Sequence, residues 1–351
     1  MSTANAQRAV ARAGEPVVDP ADWTGADLQR DTRWIFSLSS EDIHALRTMV
    51  QPILPQLDGD PNRLIGIQKE AFALGPFAPK LAAIRHELKS GFGVALLRRL
   101  PMDTLSPLEA AAIYWGLGLH MGTACSNNPE GDLLGHVTDL GKTQKDPLSR
   151  GYQTSEAMAY HCDQSTLVGL LCVRTPQSGG LSKIASTVTI HNAMLQQDPQ
   201  AVRELSQAFC WTKHGEKNPD ELPYYQSPVF NFLEGQFCAA FGPTHILKGH
   251  QLPGVAPLTA AQQHAIQYAK NLADQHHYAM TLARGDMQFL NNLVAVHTRT
   301  AYQDWPEPER KRLLWRLWLI APDIRPSTPY IQQWGKGIKT RQTKERIVLG
   351  V

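Results

Sequence analysis

Residues 159–172 read AYHCDQSTLVGLLC, in which a histidine and an aspartate stand two apart just before a long apolar run. Residues 167–173 have the length and composition of a strand that is buried on both faces. Because side chains alternate along extended backbone, His161 and Asp163 would face the same side and could bind one metal ion. This pair therefore predicts a metal site at the end of a buried strand.

A His-x-Asp pair is weak evidence by itself, since such pairs arise by chance in a chain with 13 histidines. A second pair of this kind, His214-Gly215-Glu216, lies in a polar stretch, and we interpret it as a solvated turn. Among the later histidines, His297 differs because it directly follows the apolar run 293–296. If that run forms a neighbouring strand, the His297 imidazole could lie beside His161 and Asp163. Two histidines and one carboxylate form the ligand set of non-haem Fe(II) oxygenases.

Two arginines follow at a spacing that suits a co-substrate. Iron of this kind needs electrons to activate O2, and the usual donor, 2-oxoglutarate, has a distal carboxylate that favours an arginine. Arg312 stands fifteen residues after His297, and Arg316 follows four residues later, so on a strand both would share one face. Inward-facing charges are costly unless they bind an anion. The alternative is that this face is exposed and both arginines are solvated.

Capping signals and short apolar runs indicate the remaining elements. Ser39, Ser106, Asp198 and Thr259 each stand where a helix would begin. Short strands are predicted at 93–97, 167–173, 287–290, 293–296 and 313–319. Asn291-Asn292, between the third and fourth of these runs, indicates a β-hairpin.

The order of these elements predicts an α+β fold. Regular strand–helix alternation is missing, and so is any GxGxxG motif, which argues against a parallel dinucleotide-binding sheet. We expect a β barrel or sandwich decorated by helices. Residues 31–351 are predicted to form a single domain, and residues 1–30 to form a poorly ordered N-terminal arm.

Composition narrows the class of partner and the compartment. The chain has 351 residues, 42% of them hydrophobic, and a formal net charge of +2. This charge is too small to indicate a nucleic-acid-binding surface. The sequence contains no apolar stretch long enough to span a membrane. Its five cysteines are scattered without a CxxC pair, as in a cytoplasmic protein with reduced thiols. We expect a small-molecule substrate, neither nucleic acid nor membrane as partner, and a homo-oligomer as one option.

On these motifs the chain resembles the taurine dioxygenase-like (TauD/TfdA) branch of the Fe(II)/2-oxoglutarate oxygenases, which also contains clavaminate synthase. The resemblance rests on residues 113–139, 160–192 and 285–319, which hold the HxD pair, an SGG turn, the terminal histidine and the trailing arginines. It implies a double-stranded β-helix core of the jelly-roll or cupin-like type. It also implies a dioxygenase that uses Fe(II), 2-oxoglutarate and O2.

The same resemblance implies roles for particular residues. Iron would be held by His161, Asp163 and His297, and Arg312 would bind the distal carboxylate of 2-oxoglutarate. The hydroxyl that assists the co-substrate matches Ser182, just after the Gly-Gly turn, with Thr187 as the second candidate.

Substrate contacts follow less directly from the resemblance. Arg316 matches a position that meets the anionic group of the substrate or supports the co-substrate, so the substrate would be a small carboxylate-bearing metabolite. Further candidate contacts are Tyr160, Gln164, Asn127 and Asn128, with Lys213 and His214 as lid residues and the loop-like stretch 238–254 as a pocket wall. We expect hydroxylation of an unactivated C–H bond in amino-acid or natural-product metabolism, with desaturation, cyclisation or epoxidation as other outcomes.

Two other classes remain open. A zinc-dependent hydrolase could use the same three ligands, although it would need no arginine for 2-oxoglutarate. A non-catalytic binding protein on the same barrel would not need the intact ligand set.

Overall fold

The computed structural model describes residues 7–143, 150–217, 220–340 and 344–350. Its helices are α1 (Gly25–Arg30), α2 (Ser40–Val50), α3 (Leu54–Leu57), α4 (Ala78–Ser90), α5 (Pro107–Met121), α6 (Thr187–Gln197), α7 (Pro199–Leu205), α8 (Pro243–Gly249), α9 (Ala260–His276) and α10 (Pro329–Trp334). In this part of the chain, no helix combines the length and the apolar character that crossing a membrane requires.

The strands are mostly short. They are β1 (Ile35–Ser37), β2 (Val94–Arg98), β3 (Thr123–Cys125), β4 (Leu134–Val137), β5 (Leu167–Arg174), β6 (Ser178–Gly179), β7 (Ser182–Ser186), β8 (Ala208–Thr212), β9 (Tyr224–Pro228), β10 (Phe230–Leu233), β11 (Gln236–Ala239), β12 (Tyr278–Met280), β13 (Met287–Asn291), β14 (Ala295–Arg299), β15 (Tyr302–Gln303) and β16 (Leu313–Ile320).

The helix starts that the capping signals predict are confirmed. Ser106 and Glu109 form a reciprocal capping box at the start of α5: the backbone N–H of Glu109 donates to Ser106 Oγ at 3.2 Å, and that of Ser106 donates to Glu109 Oε2 at 2.8 Å. The side chains of Ser39, Asp198 and Thr259 likewise accept hydrogen bonds from the first turns of α2, α7 and α9.

The main sheet has seven strands in the order β1-β2-β13-β5-β16-β3, with β4 also pairing with β16. Along the central strand β5, Leu167 and Leu171 pack under helices α2, α4 and α5, whereas Val168 and Leu170 face the opposite core. Both faces of this strand are therefore covered. This explains why its sequence is continuously apolar instead of alternating.

A second layer of strands covers the inner face of the main sheet. It contains the three-stranded sheet β12-β7-β14 and the two-stranded ribbons β8-β9 and β10-β11. Ile184 and Val296 from this layer pack into the same core as Val168, Leu314 and Trp318 from the main sheet. The predicted architecture, a two-layered strand core with helices outside, is confirmed.

The predicted hairpin at Asn291-Asn292 is wrong. β13 pairs with β2 and β5 in the main sheet, whereas β14 pairs with β7 in the second layer. The turn between them carries the chain from one layer to the other because both asparagines bind distant groups. Asn291 Nδ2 donates to Leu88 O at 3.1 Å, and Asn292 Nδ2 donates to Ser165 O at 2.9 Å.

The N-terminal arm was expected to be poorly ordered, but from residue 7 onward it packs against the core. Residues 1–6 lie outside the described part. Trp23 is 1% exposed, and its Nε1 donates to Phe92 O at 2.8 Å. Asp19 forms ion pairs with Arg8 at 2.8 Å and with Arg325 at 2.9 Å. The arm is ordered because it supplies apolar side chains and a buried charge partner to the core, which its composition does not reveal.

Candidate metal centre and its cavities

His161 and His297 face each other across the two segments that carry them. The backbone N–H of each donates to the carbonyl of the other, at 3.0 and 2.9 Å, which makes them a hydrogen-bonded antiparallel pair. Their rings lie with centroids 4.4 Å apart and planes at 47°. Although 136 positions separate them in the sequence (297 − 161), the strand pairing sets both imidazoles side by side.

Asp163 completes the group. Its Oδ2 lies 3.6 Å from His297 Nε2, and one potential ligand atom from each of His161, Asp163 and His297 lies within 4.8 Å of the other two. No described residue hydrogen-bonds to Asp163 Oδ2, although the atom is buried. A buried carboxylate oxygen without a partner beside two imidazoles is the arrangement that a bound cation would complete.

Neighbouring backbone groups orient the two ligands of the HxD pair. His161 Nδ1 lies 2.9 Å from Ala159 O, which places the proton on Nδ1 and leaves the lone pair of Nε2 for a metal. The backbone N–H of Asp163 donates to Asn292 Oδ1 at 3.2 Å. The turn that leads into β14 therefore also holds the loop that carries the first two candidate ligands.

The electrostatics favour the metal-binding protonation states. Burial lowers the pKa of His161, and burial together with His161 lowers that of His297 to about 3. Burial opposes ionisation of Asp163, but the charge of Arg316 and the two imidazoles outweigh it and lower its pKa below the ordinary value. At neutral pH the centre thus has two neutral imidazoles and one carboxylate, as a divalent cation requires.

Arg316 lies directly behind this carboxylate. Its Nη1 donates to Asp163 Oδ1 at 3.1 Å and its Nε donates to Asn127 Oδ1 at 2.9 Å. The guanidinium also packs over the rings of Trp318 at 4.5 Å and Tyr152 at 4.8 Å. Arg316 is thus a buried partner of the candidate metal ligand, and two of its nitrogens already bind protein groups.

A smaller cavity lies on one side of the centre, where His161, His297, Ser182, Arg312 and Arg316 line it. As their spacing predicts, the two arginines share this inner face and are not solvated; Arg312 is 5% exposed. Arg312 Nη1 is buried without a hydrogen-bond partner among the described residues. Ser182 Oγ donates to Gln288 Oε1 at 2.7 Å.

The second hydroxyl candidate is placed elsewhere. Thr187 is the first residue of α6 and is buried, but it lines neither cavity. Only Ser182 of these two therefore lies beside Arg312.

A larger cavity, with a volume of about 160 Å³, lies on the other side. Tyr160 and Gln164, two of the predicted substrate contacts, line it. Gln164 is 3% exposed, and neither its Oε1 nor its Nε2 has a partner among the described residues. The two asparagine candidates do not line it: Asn127 binds Arg316, and Asn128 Nδ2 donates to Asp132 Oδ2 at 2.7 Å.

The interpretation of His214-Gly215-Glu216 as a solvated turn is wrong. His214, in the left-handed conformation with φ of 49°, lines the larger cavity. Glu216 forms an ion pair with Arg150, and its side chain is only 5% exposed. This pairing folds the turn over the cavity. Lys213, the other lid candidate, does not line the cavity and pairs with Glu221 at 3.0 Å.

Residues 238–254, which were expected to be loop-like, contain helix α8. The stretch does form a cavity wall, but as a helix whose His245 and Lys248, three residues apart, both line the cavity. Pro243 at the start of α8 is the sequence signal that could have indicated this helix. Arg150 also lines the cavity and is not found by sequence reasoning, since it belongs to no motif.

Comparisons with known proteins agree with this geometry. Residues 60–318 match the family model described as taurine catabolism dioxygenase TauD, TfdA family. The chain is 27% identical to FR-33289 synthase of Streptomyces rubellomurinus, over 94% of this chain and 98% of that protein. It is 23% identical to the taurine hydroxylase-like protein SAT17 of Stachybotrys chartarum, over 87% of this chain and 82% of that protein.

Solved structures show the same fold. Asparagine oxygenase in complex with Fe(II), 2S,3S-3-hydroxyasparagine and succinate superposes with a TM-score of 0.65 at 18% identity, covering 82% of this chain and 93% of that one. The non-heme iron oxygenase OrfP in complex with Fe and alpha-ketoglutaric acid gives 0.61 at 14% identity, covering 82% and 94%. The core is thus the cupin-like core of these oxygenases.

Proposed function

Because this chain belongs to the taurine catabolism dioxygenase TauD, TfdA family, we propose that it hydroxylates an unactivated C–H bond of a small, carboxylate-bearing metabolite. The chain is a 2-oxoglutarate-dependent non-haem iron dioxygenase. In the overall reaction 2-oxoglutarate loses CO2 and becomes succinate, which takes one oxygen atom of O2, while the substrate takes the other. The observation that carries the proposal is the buried group of His161, Asp163 and His297 between two cavities.

Fe(II) would be held by these three side chains. The fit is supported by the neutral imidazoles, by the free lone pair of His161 Nε2, and by Asp163 Oδ2, which lacks a partner among the described residues. Two imidazoles and one carboxylate leave coordination positions for a co-substrate and O2. When bound, iron supplies the activation of O2, which no protein side chain can perform.

2-Oxoglutarate would occupy the smaller cavity. Arg312 would bind its distal carboxylate, because a buried guanidinium nitrogen without a partner among the described residues is costly until an anion pairs with it. The Ser182 hydroxyl, which donates to Gln288 Oε1 in the structure, would redirect its one proton to the same carboxylate. The apolar walls of Leu170 and Leu314 would exclude water from the bound co-substrate.

Arg316 would position Asp163 and not bind substrate. Its hydrogen bonds to Asp163 and Asn127 fix the carboxylate while leaving Oδ2 directed at His297. Groups that orient a metal ligand in this way raise metal affinity without touching the metal. Asn127 supports this arrangement, because its Oδ1 accepts a hydrogen bond from Arg316 Nε.

The substrate would lie in the larger cavity. Gln164 adjoins Asp163 in the sequence. Its amide oxygen and nitrogen lack partners among the described residues, so it could bind a polar group of the substrate. A carboxylate-bearing metabolite is further supported by the neighbours that are described in complex with amino acids, 3-hydroxyasparagine for asparagine oxygenase and (3S)-hydroxy-L-Arg for OrfP. Amino-acid or natural-product metabolism is the context that we propose.

We further propose that the enzyme acts in the cytoplasm. All five cysteines are free and buried, which suits a reducing compartment.

An anaerobic titration with Fe(II) and 2-oxoglutarate tests the proposal. We expect the weak visible charge-transfer band of the iron–2-oxoglutarate chelate in the wild type and its loss in Asp163→Ala. Circular dichroism of Asp163→Ala controls for folding. A folded wild type that gives no band, but binds zinc at the same three residues, would contradict the oxygenase assignment in favour of a zinc hydrolase.

A further inference from the structure

The larger cavity carries a group of basic side chains that the metal centre does not use. Arg150, His214, His245 and Lys248 all line it, and we call these four residues the basic cluster. The rings of His214 and His245 pack edge to face, with centroids 4.5 Å apart and planes at 65°. The cluster joins three separate segments of the chain, namely Arg150, the turn at His214 and helix α8.

The two cations of the cluster act on the imidazole pair. Burial, and then the charges of Arg150 and Lys248, lower the pKa of His214 to about 3. Burial, His214 and the same cations hold the pKa of His245 well below its ordinary value. The positive potential of Arg150 and Lys248 therefore converges on two neutral imidazoles, which can still donate N–H groups.

Basic side chains outnumber carboxylates among the described residues that line the larger cavity. Among the described residues that line it, Asp163 is the one carboxylate, and that side chain already faces Arg316 and the candidate metal site. Glu216 pairs with Arg150 but does not line the cavity. An anion that enters would therefore meet Arg150 and Lys248 together with the imidazole edges.

One nitrogen of the cluster is left for a ligand. His214 Nε2 is buried and has no hydrogen-bond partner among the described residues. Charge-assisted hydrogen bonds from lysine or arginine to an oxyanion are the strongest that a buried site can offer. Arg316 already uses its Nε and Nη1 on Asn127 and Asp163, whereas the ion pair of Arg150 with Glu216 uses Nη2.

Resting on the proposed function, we propose that the basic cluster binds an oxyanionic group of the substrate, such as its carboxylate, and thereby fixes which carbon faces the metal centre. The substrate would then span the cavity, with its anion at Lys248 and Arg150 and its reacting carbon beside Asp163 and Gln164. Holding the substrate at both ends converts binding energy into orientation of one C–H bond.

Propionate and its neutral isostere propionamide test this site. Each is titrated by calorimetry into wild-type protein already loaded with Fe(II) and saturating 2-oxoglutarate under anaerobic conditions, so that Arg312 is occupied. We expect propionate to bind at least tenfold more tightly than propionamide. We expect Lys248→Met to weaken propionate about tenfold, the loss typical of one charge-assisted hydrogen bond. Lys270→Met, on helix α9 and away from both cavities, is the matched control and should retain wild-type affinity.

A second variant guards against misfolding of the first. Arg150→Gln combined with Glu216→Gln removes a cation without leaving its partner charged and buried. It should also weaken propionate about tenfold. Unchanged propionate affinity in both variants, or equal binding of propionamide, overturns the anion site. The chelate band is recorded in every sample: its presence with unchanged propionate binding refutes this inference alone, whereas its absence from the wild type refutes the proposed function.

Discussion

Asp163 and Arg316 form a buried ion pair in which Nη1 lies 3.1 Å from Oδ1, with side chains 5% and 7% exposed. The carboxylate oxygen that Arg316 leaves free is the one nearest His297 Nε2, at 3.6 Å. One arginine thus keeps the aspartate charged, holds its orientation and leaves one oxygen for a cation. Each of these effects can be measured separately.

Removing this arginine should cost stability that iron then restores. We expect Arg316→Leu to lower the free energy of unfolding of the metal-free protein by about 3–5 kcal/mol, because the carboxylate stays buried without its partner. Fe(II) should recover part of the loss by neutralising Asp163. Urea unfolding with and without Fe(II) measures both. Arg346→Leu, which breaks the more exposed pair with Asp132, should cost less than about 1 kcal/mol; equal losses in the two variants would contradict the role of Arg316.

Arg312 should matter for the co-substrate and not for the substrate. We expect Arg312→Ala to raise the KM for 2-oxoglutarate at least tenfold, since it removes a charge-assisted hydrogen bond to the distal carboxylate. Arg310→Ala is the matched control, because Arg310 lies two residues away, is exposed and packs over Trp305. Steady-state kinetics with each ligand varied in turn give the answer. A change confined to the KM for substrate would contradict the role of Arg312 and assign this arginine to the substrate.

We expect Gln164 to contribute to substrate binding and not to the stability of the fold. Its buried amide has no partner among the described residues, so we expect Gln164→Leu to leave the free energy of unfolding unchanged or to raise it by about 1 kcal/mol. Substrate affinity should fall while the chelate band persists. Gln288→Leu is the contrasting variant, because Gln288 accepts a hydrogen bond from Ser182. Loss of that hydrogen bond should lower the free energy of unfolding. Thermal unfolding of both variants decides; a destabilised Gln164→Leu would assign Gln164 to the core.

The N-terminal segment should be part of the cooperative unit. We expect Trp23→Ala to cost about 3–5 kcal/mol, because a fully buried tryptophan is replaced by a cavity. Val10→Ala, at a side chain that is 65% exposed, should change stability by less than about 0.5 kcal/mol. Chemical denaturation followed by fluorescence separates the two. A Trp23→Ala variant as stable as Val10→Ala would show that the segment does not contribute.

His214 should make stability depend on acidity. The pKa of His214 is about 3 in the folded chain, against an ordinary value of 6.5. As the pH falls below about 6.5, this imidazole is therefore protonated in the unfolded chain but stays neutral in the folded chain. Stability should therefore fall from pH 6.5 toward pH 3, by up to about 1.4 kcal/mol per pH unit for this group. His214→Asn should reduce that slope in urea unfolding at pH 7 and pH 5. An unchanged slope would mean that this imidazole is protonated in the folded state.

Local pattern was sufficient to group the three candidate metal ligands, of which His297 lies in β14 and His161 forms an isolated bridge with it. Alternation put His161 and Asp163 on one face, and the apolar run before His297 marked a second strand of the same core. The shared face of the two arginines was predictable in the same way, since Arg312 immediately precedes β16 and Arg316 lies within it. The order in which strands pair is set by contacts over more than a hundred residues, and no local pattern encodes it.

The misinterpreted segments share a physical cause. Asn291-Asn292 has the composition of a tight hairpin, but its side chains bind Leu88 and Ser165, and those long-range bonds send the chain into the other layer. Glu216 looks like a solvated charge until Arg150, from a remote segment, pairs with it. Polar residues whose partners are distant in sequence look like surface residues when only their neighbours are considered.

The turn at Asn292 ties the formation of the centre to the completion of the fold. Asn292 Oδ1 binds the backbone of Asp163, and β14, which carries His297, begins three residues later at Ala295. The donor atoms therefore come together only when both strand layers have closed on each other, late in synthesis of the chain. A nascent or partly unfolded polypeptide has the HxD pair but not the third ligand. It should bind iron too weakly to reduce O2, so that oxidative damage to the enzyme's own side chains is confined to molecules that have finished folding.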